Sequence, residues 1–190
     1  AALRLGGLTF DDIEIVISDF GEQRHRHLLD GSVDVSTVGR PSSLVEGREA
    51  GAFVVWKWAN ETQPGRQQFA VTFSHRFWTE RPAEAQSYVV GYLQGLRAYY
   101  DAFEHGVNKD AAIDALARES DYDRDVIANE MVPALVNPDG YLNREGMATE
   151  LQWLENEDVL PRPIPLDRVV NHGYLDAAIA ELGPYRTPDR

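Results

Sequence analysis

Residues 33–48 read VDVSTVGRPSSLVEGR, and this stretch sets the expectation for the whole chain. Val33 to Val38 has the composition of a short buried strand. Gly39-Arg40-Pro41 opens a loop, and the residues after it begin a helix whose first turn holds proline, where a missing N–H costs nothing. Strand-to-loop-to-helix passages of this kind line the ligand clefts of open α/β sheets, because ligands sit outside the carboxyl ends of strands. The stretch therefore predicts an α/β fold and places the ligand site at this loop.

Working outward, Ile13-Glu14-Ile15-Val16-Ile17 alternates in the β-branched manner of a strand. It follows a helix tail over Ala2 to Gly7, closed by Gly6-Gly7, and a turn at Thr9, Asp11 and Asp12. Residues 21–30 are helical in pattern, with Leu28 and Leu29 inward and Gly31 as the stop. The helix from Pro41 reaches Ala50, and Ala52 to Trp58 then reads as a central strand, nearly continuous in apolar residues. A polar linker, Asn60 to Arg66, turns at Pro64-Gly65 and leads to a further alternating segment, Gln67 to Ser74. Beyond it the pattern is helical. Residues 84–103 carry Tyr88, Tyr92, Leu96 and Tyr99 on one stripe, and residues 110–119 and 123–131 each open on an aspartate able to cap free N–H groups. After a turn at Asn137 to Gly140, residues 143–155 form a helix around Met147, Leu151 and Leu154. Pro161 to Pro165 breaks it, and a last helix over 174–182 ends at Gly183-Pro184.

Composition excludes several function classes. The formal net charge of −13 over 190 residues offers no clustered cations for a phosphate backbone or an anionic membrane surface. The absence of cysteine excludes disulfides, thiol nucleophiles and cysteine-based zinc sites. No apolar run approaches the roughly 18 residues of a membrane span. Ala1-Ala2-Leu3-Arg4 lacks the marks of a signal peptide, and the start without methionine fits a segment removed upstream.

Among side chains with chemistry, His25-Arg26-His27 invites a metal reading, but residues two apart on a helix diverge, so a solvated helix face is the better account. His75, His105 and His172 stand singly. No Gly-x-Ser-x-Gly elbow, phosphate loop or His-Glu-x-x-His is present, so no catalytic residue, metal site or cofactor is expected. Arg40 has two readings: a bidentate partner for a carboxylate, sulfonate or phosphate, or an ion pair with a neighbouring acid such as Glu46. Ser36, Thr37, Ser42 and Ser43 either hold a ligand or cap the helix. Trp56 and Trp58 share one strand face, as Phe69, Val71 and Phe73 share another, and such faces are more often core than binding platform. The candidate ligand-binding set is Ser36, Thr37, Gly39, Arg40, Ser42 and Trp58.

Taken together, GLTFDDIEIV, LLDGSVDVSTVGRP and QQFAVTFSHRFWTERPAEAQSYVVGYLQGLRAY resemble the second half of ABC-transporter solute-binding proteins of the nitrate, sulfonate, taurine and thiamine-precursor type. VNPDGYLNREGMATELQWLENEDVLP and PLDRVVNHGYLDAAIAELGPYR are similar to that family's C-terminal region. The resemblance implies a type II periplasmic-binding-protein fold, here incomplete, with a helix-rich C-terminal part and the opening half absent. Residues 1–51 would end the second α/β lobe, 52–67 would hold the hinge crossing, and 68–190 would return into the first lobe.

The implied function is extracytoplasmic capture of a small organic solute for an ABC permease in the membrane, without enzymatic activity. Relatives in Gram-positive organisms are lipid-anchored. The family often carries a Trp-Glu-Pro-like triplet where Gly39-Arg40-Pro41 stands, and the exchange of acid for arginine reverses the local charge in favour of an anionic or carbonyl-rich ligand. Relatives that build a pyrimidine from their own histidine carry a cysteine-rich motif, which this chain lacks. Two other readings stand beside solute capture: an enzyme on the same scaffold, and a truncated lobe that acts through protein contacts. Missing first-lobe strands would leave sheet edges exposed, which favours pairing into a homodimer.

Overall fold

The structure is a computed structural model that describes residues 2–18 and 21–188. Ala1, Asp19, Phe20, Asp189 and Arg190, which the domain bounds given above include, lie outside the described residues, as does the Ala1 end of the signal-peptide reading.

Helix accounts for 55% of the chain, and no strand forms among the described residues. The expected α/β class is therefore overturned, and the fold is helical. The segments that read as strands are extended but unpaired: residues 14–17, 34–38, 53–57 and 68–73 make no backbone-to-backbone hydrogen bond among the described residues. β-branched alternation is a local preference, and it becomes a sheet only where a neighbour takes up the N–H and C=O groups. Without that neighbour the side chains stay in water. Ile17 is 88% exposed, Val35 85%, Val54 89% and Phe69 75%, so neither the 33–38 segment is buried nor the 52–58 segment central.

The chain divides into two units, Ala1–Pro64 with Ile113–Pro133, and Gly65–Ala112 with Ala134–Arg190. The first holds α1 (Ala2–Leu5), α2 (Gly21–Leu29), α3 (Pro41–Glu49), the single turn α4 (Ala59–Thr62) and α8 (Arg124–Glu130). Helix α3 packs on α8 and α2. Ile113 of the 113–133 stretch and Ile127 of α8 are the unit's buried apolar side chains among the described residues, and Arg48 of α3 donates two hydrogen bonds, 2.9 and 2.7 Å, to the carboxylate of Glu130. Pro41 occupies the first helical position and Gly51, at φ 61°, terminates the turn after α3.

The second unit holds α5 (His75–Glu80), α6 (Pro82–Glu104), α9 (Arg144–Asn156) and α10 (Gly173–Leu182), and the boundary between units falls inside α7 (Lys109–Glu119). Helix α6 packs mainly on α10. Its buried residues are Ala85, Leu93 and Ala102, and Ala178 is the buried residue of α10. The expected tyrosine stripe is thus displaced: Tyr88 and Tyr92 flank the buried line at 52% and 41% exposure. Gly140, at φ 76°, lets the 137–140 turn sit against α6 and α10, where an added Cβ would lie 3.0 Å from Leu175 Cδ1. Phe73 anchors an edge-to-face cluster with Phe77, Tyr88 and Tyr174. Asp123, expected to cap α8, precedes it without a side-chain capping bond.

Among the described residues no helix is long and apolar enough to cross a membrane.

Candidate functional site

The loop singled out in the sequence lies in the first unit and leads directly into α3. Arg40 is the N-cap residue, extended at φ −97° and ψ 128°, and its own side chain makes no capping bond. Its carbonyl accepts from the N–H groups of Ser43 and Leu44. The guanidinium turns outward instead, where Nε donates to the Tyr122 hydroxyl at 3.4 Å and the group stacks over that ring at 5.9 Å. Tyr122, followed by the Glu22 and Asp121 carboxylates, raises the Arg40 pKa further, so the side chain is cationic at every working pH. Its two terminal nitrogens carry no hydrogen bond among the described residues.

Around it, Gly39 leaves open space, since an added Cβ would meet no atom within 4 Å. Ser42 is exposed and Ser36 half-buried, and neither hydroxyl has a partner among the described residues. Thr37 is engaged, because its Oγ1 accepts from Arg24 Nη1 at 2.9 Å. The structure thus places Ser36, Thr37, Gly39 and Arg40 on one loop and Ser42 in the first turn of α3, with Arg24 of α2 tied to the loop at Thr37. Trp58 stands apart as the residue before α4, its backbone N–H donating to Glu61 Oε2 at 2.7 Å. Chemically the loop offers an exposed guanidinium and two free hydroxyls, a set suited to an anion, whereas in the first turn of α3 Pro41 has no N–H and those of Ser43 and Leu44 already donate to the Arg40 carbonyl.

The alternative partner for Arg40 is engaged elsewhere. Glu46 Oε2 lies 2.8 Å from His25 Nε2, and His25 is 4% exposed, so the solvated-face reading of His25 is corrected. Its ring meets Phe53 edge-on at 6.0 Å, and its Nδ1 is buried without a hydrogen-bond partner. Phe53 reaches this position because residue 47 is glycine: a Cβ there would lie 1.9 Å from Phe53 Cε1. No family model, no curated protein and no solved structure matches the chain. Function is therefore argued from these side chains.

Spacing did not disclose Tyr122, which lies 82 residues from Arg40, nor the Arg48–Glu130 pair at the same separation. Gly47 did give a signal, since a glycine inside a helix marks a close approach. Among the described residues no group of three His, Cys, Asp or Glu side chains is placed to hold a metal.

The second unit carries a separate concavity of about 380 Å³ beside α9. Met147, Leu151, Leu154, Ile164, Leu166 and Val169 form most of its wall, with Glu150 as its charged member. None of the sequence-predicted site residues lines it.

Proposed function

We propose that the chain captures a small anionic organic solute at the Ser36–Ser42 loop, as the solute-binding component of an importer. The observation that carries this reading is the Arg40 guanidinium, exposed at the start of α3 with both terminal nitrogens unpaired beside the open space at Gly39. A carboxylate, sulfonate or phosphate fits a guanidinium in two parallel hydrogen bonds, and the N-terminal end of α3 adds favourable potential. The role in import, with a membrane permease as partner and an extracytoplasmic location, rests on the resemblance of the chain's segments to nitrate- and sulfonate-type binding proteins. The α/β fold that the resemblance implied is overturned by the helical structure, so the import role rests on segment order alone.

The test is calorimetric titration and thermal shift against nitrate, alkyl sulfonates, aromatic carboxylates and pyrimidines. A ligand present at a hundredfold excess over its Kd stabilises the native state by about 2.7 kcal/mol, which raises the melting temperature by several degrees. The expected result is a saturable shift with at least one anion class and none with the neutral pyrimidines. Arg40→Ala should abolish that shift, and Arg40→Lys should retain part of it, since lysine keeps the charge without the planar fork. An anion shift unchanged in Arg40→Ala would place the site elsewhere.

A further inference from the structure

The segment Ala52–Trp58, AFVVWKW, is extended, and no backbone N–H or C=O from Phe53 to Lys57 is hydrogen-bonded among the described residues. It is apolar except for Lys57, which shares a face with Phe53 and Val55. Val54 and Trp56 point one way at 89% and 63% exposure, and Val55 points the other way at 47%. One end is held, because Phe53 packs on His25 and over Gly47, and the Ala52 N–H donates to the Gly47 carbonyl at 3.0 Å. The other end is held where the Trp58 N–H meets Glu61. An anchored, unpaired, apolar strand of this kind is a template for edge-to-edge pairing.

We propose that Ala52–Trp58 pairs antiparallel with the same segment of a second copy of this chain, about a two-fold axis at Val55. This goes beyond solute capture and uses a different part of the first unit. The segment is self-complementary in that register. Val54 of each copy faces Trp56 of the other, giving two cross-strand pairs of a β-branched with an aromatic side chain. Lys57, the segment's one charge, faces Phe53, so no like charges are opposed. The other extended segments are worse suited. Ile13–Ile17 carries Glu14 just after Asp11 and Asp12, Val33–Val38 carries Asp34, and in Gln67–Ser74 the Phe69 carbonyl already accepts from the Gln67 side-chain amide.

Sedimentation velocity on the full chain is expected to show a species at twice the 21.3 kDa of one copy, dissociating on dilution. Val54→Lys places a charge on the pairing edge at a site in water in the single copy. It should remove the dimer boundary while the helical circular dichroism stays as in the parent and its melting temperature equals that of the parent at dilutions where the parent is a monomer. Register is read by a second variant. The chain has no cysteine, so Val55→Cys supplies a single thiol that meets its own copy at the axis and should form an intermolecular disulfide on mild oxidation. Val35→Cys, at 85% exposure against 47% for Val55 and on another segment, is the control and should cross-link far more slowly despite its greater access to solvent. A chain monomeric at every concentration overturns the proposal and leaves the segment to some other extended polypeptide. A dimer untouched by Val54→Lys, or equal cross-linking by the two cysteine variants, overturns it as well.

Discussion

Gly47 carries more of the first unit than its size suggests. It is buried in α3, and the Phe53 ring occupies the place its Cβ would take, 1.9 Å from Cε1. Gly47→Ala should therefore destabilise the chain even though alanine is the better helix former, by about 1–3 kcal/mol as for other overpacked cores. Urea unfolding reads this as a lower midpoint at constant slope. Adding Phe53→Leu should recover part of the loss, since the smaller side chain vacates the ring's place, and a strictly additive double variant would refute the clash. The same neighbourhood shows what a sequence conceals at this scale. The loop from Ser36 to Ser42 was legible because a glycine, an arginine and a proline in succession announce a loop before a helix. His25 was not: its spacing to His27 speaks for solvent, and only the approach of α3, with Glu46 for Nε2 and Phe53 against the ring, removes it from water.

At the scale of elements, the second unit is fastened by one arginine and one tyrosine. Arg97 of α6, with its side chain 16% exposed, donates through Nη2 to Asp139 Oδ1 and to the Gly183 carbonyl, both at 2.7 Å, and so ties the 137–140 turn and the residue after α10 to one helix. Arg97→Ala should cost about 1.5–3 kcal/mol, because it leaves the half-buried Asp139 carboxylate without its cation. Tyr185 adds a second fastening, with its N–H on Asp139 and its hydroxyl donating to Asp101 at 2.5 Å. Burial of the phenol, and that bond to a carboxylate, push Tyr185 up to about 12 from its ordinary 10.0. The neutral phenol is the form the native state favours, so its contribution is whole below pH 10 and is lost as pH rises through about 12. The stability gap between the parent and Tyr185→Phe should therefore shrink across that window, and a gap constant from pH 9 to 12 would count against the assignment. Helices such as these were readable to within a few residues, because a 3.6-residue period, a proline at the first turn and a glycine after the last are local signals. Strands were not, since alternation at Ile13–Ile17 or Ala52–Trp58 states a preference for extended backbone and says nothing of whether a neighbour is present to pair with it.

For the whole molecule, two quantities oppose each other. The unburied apolar surface favours association, and a formal charge of −13 on each copy resists it. Within the pairing segment the only charge is Lys57, so the repulsion comes from the rest of each copy, acting over distances comparable with the screening length. That length falls from over 10 Å at about 0.05 M salt to under 5 Å at about 0.5 M. Self-association should therefore tighten as sodium chloride rises over this range, the dimer persisting to lower protein concentration in sedimentation runs. Anion capture at Arg40 should weaken over the same range, because there the attraction itself is screened. A dimer that dissociated with added salt would mean that ion pairs hold the interface, which an apolar strand pairing about Val55 does not provide.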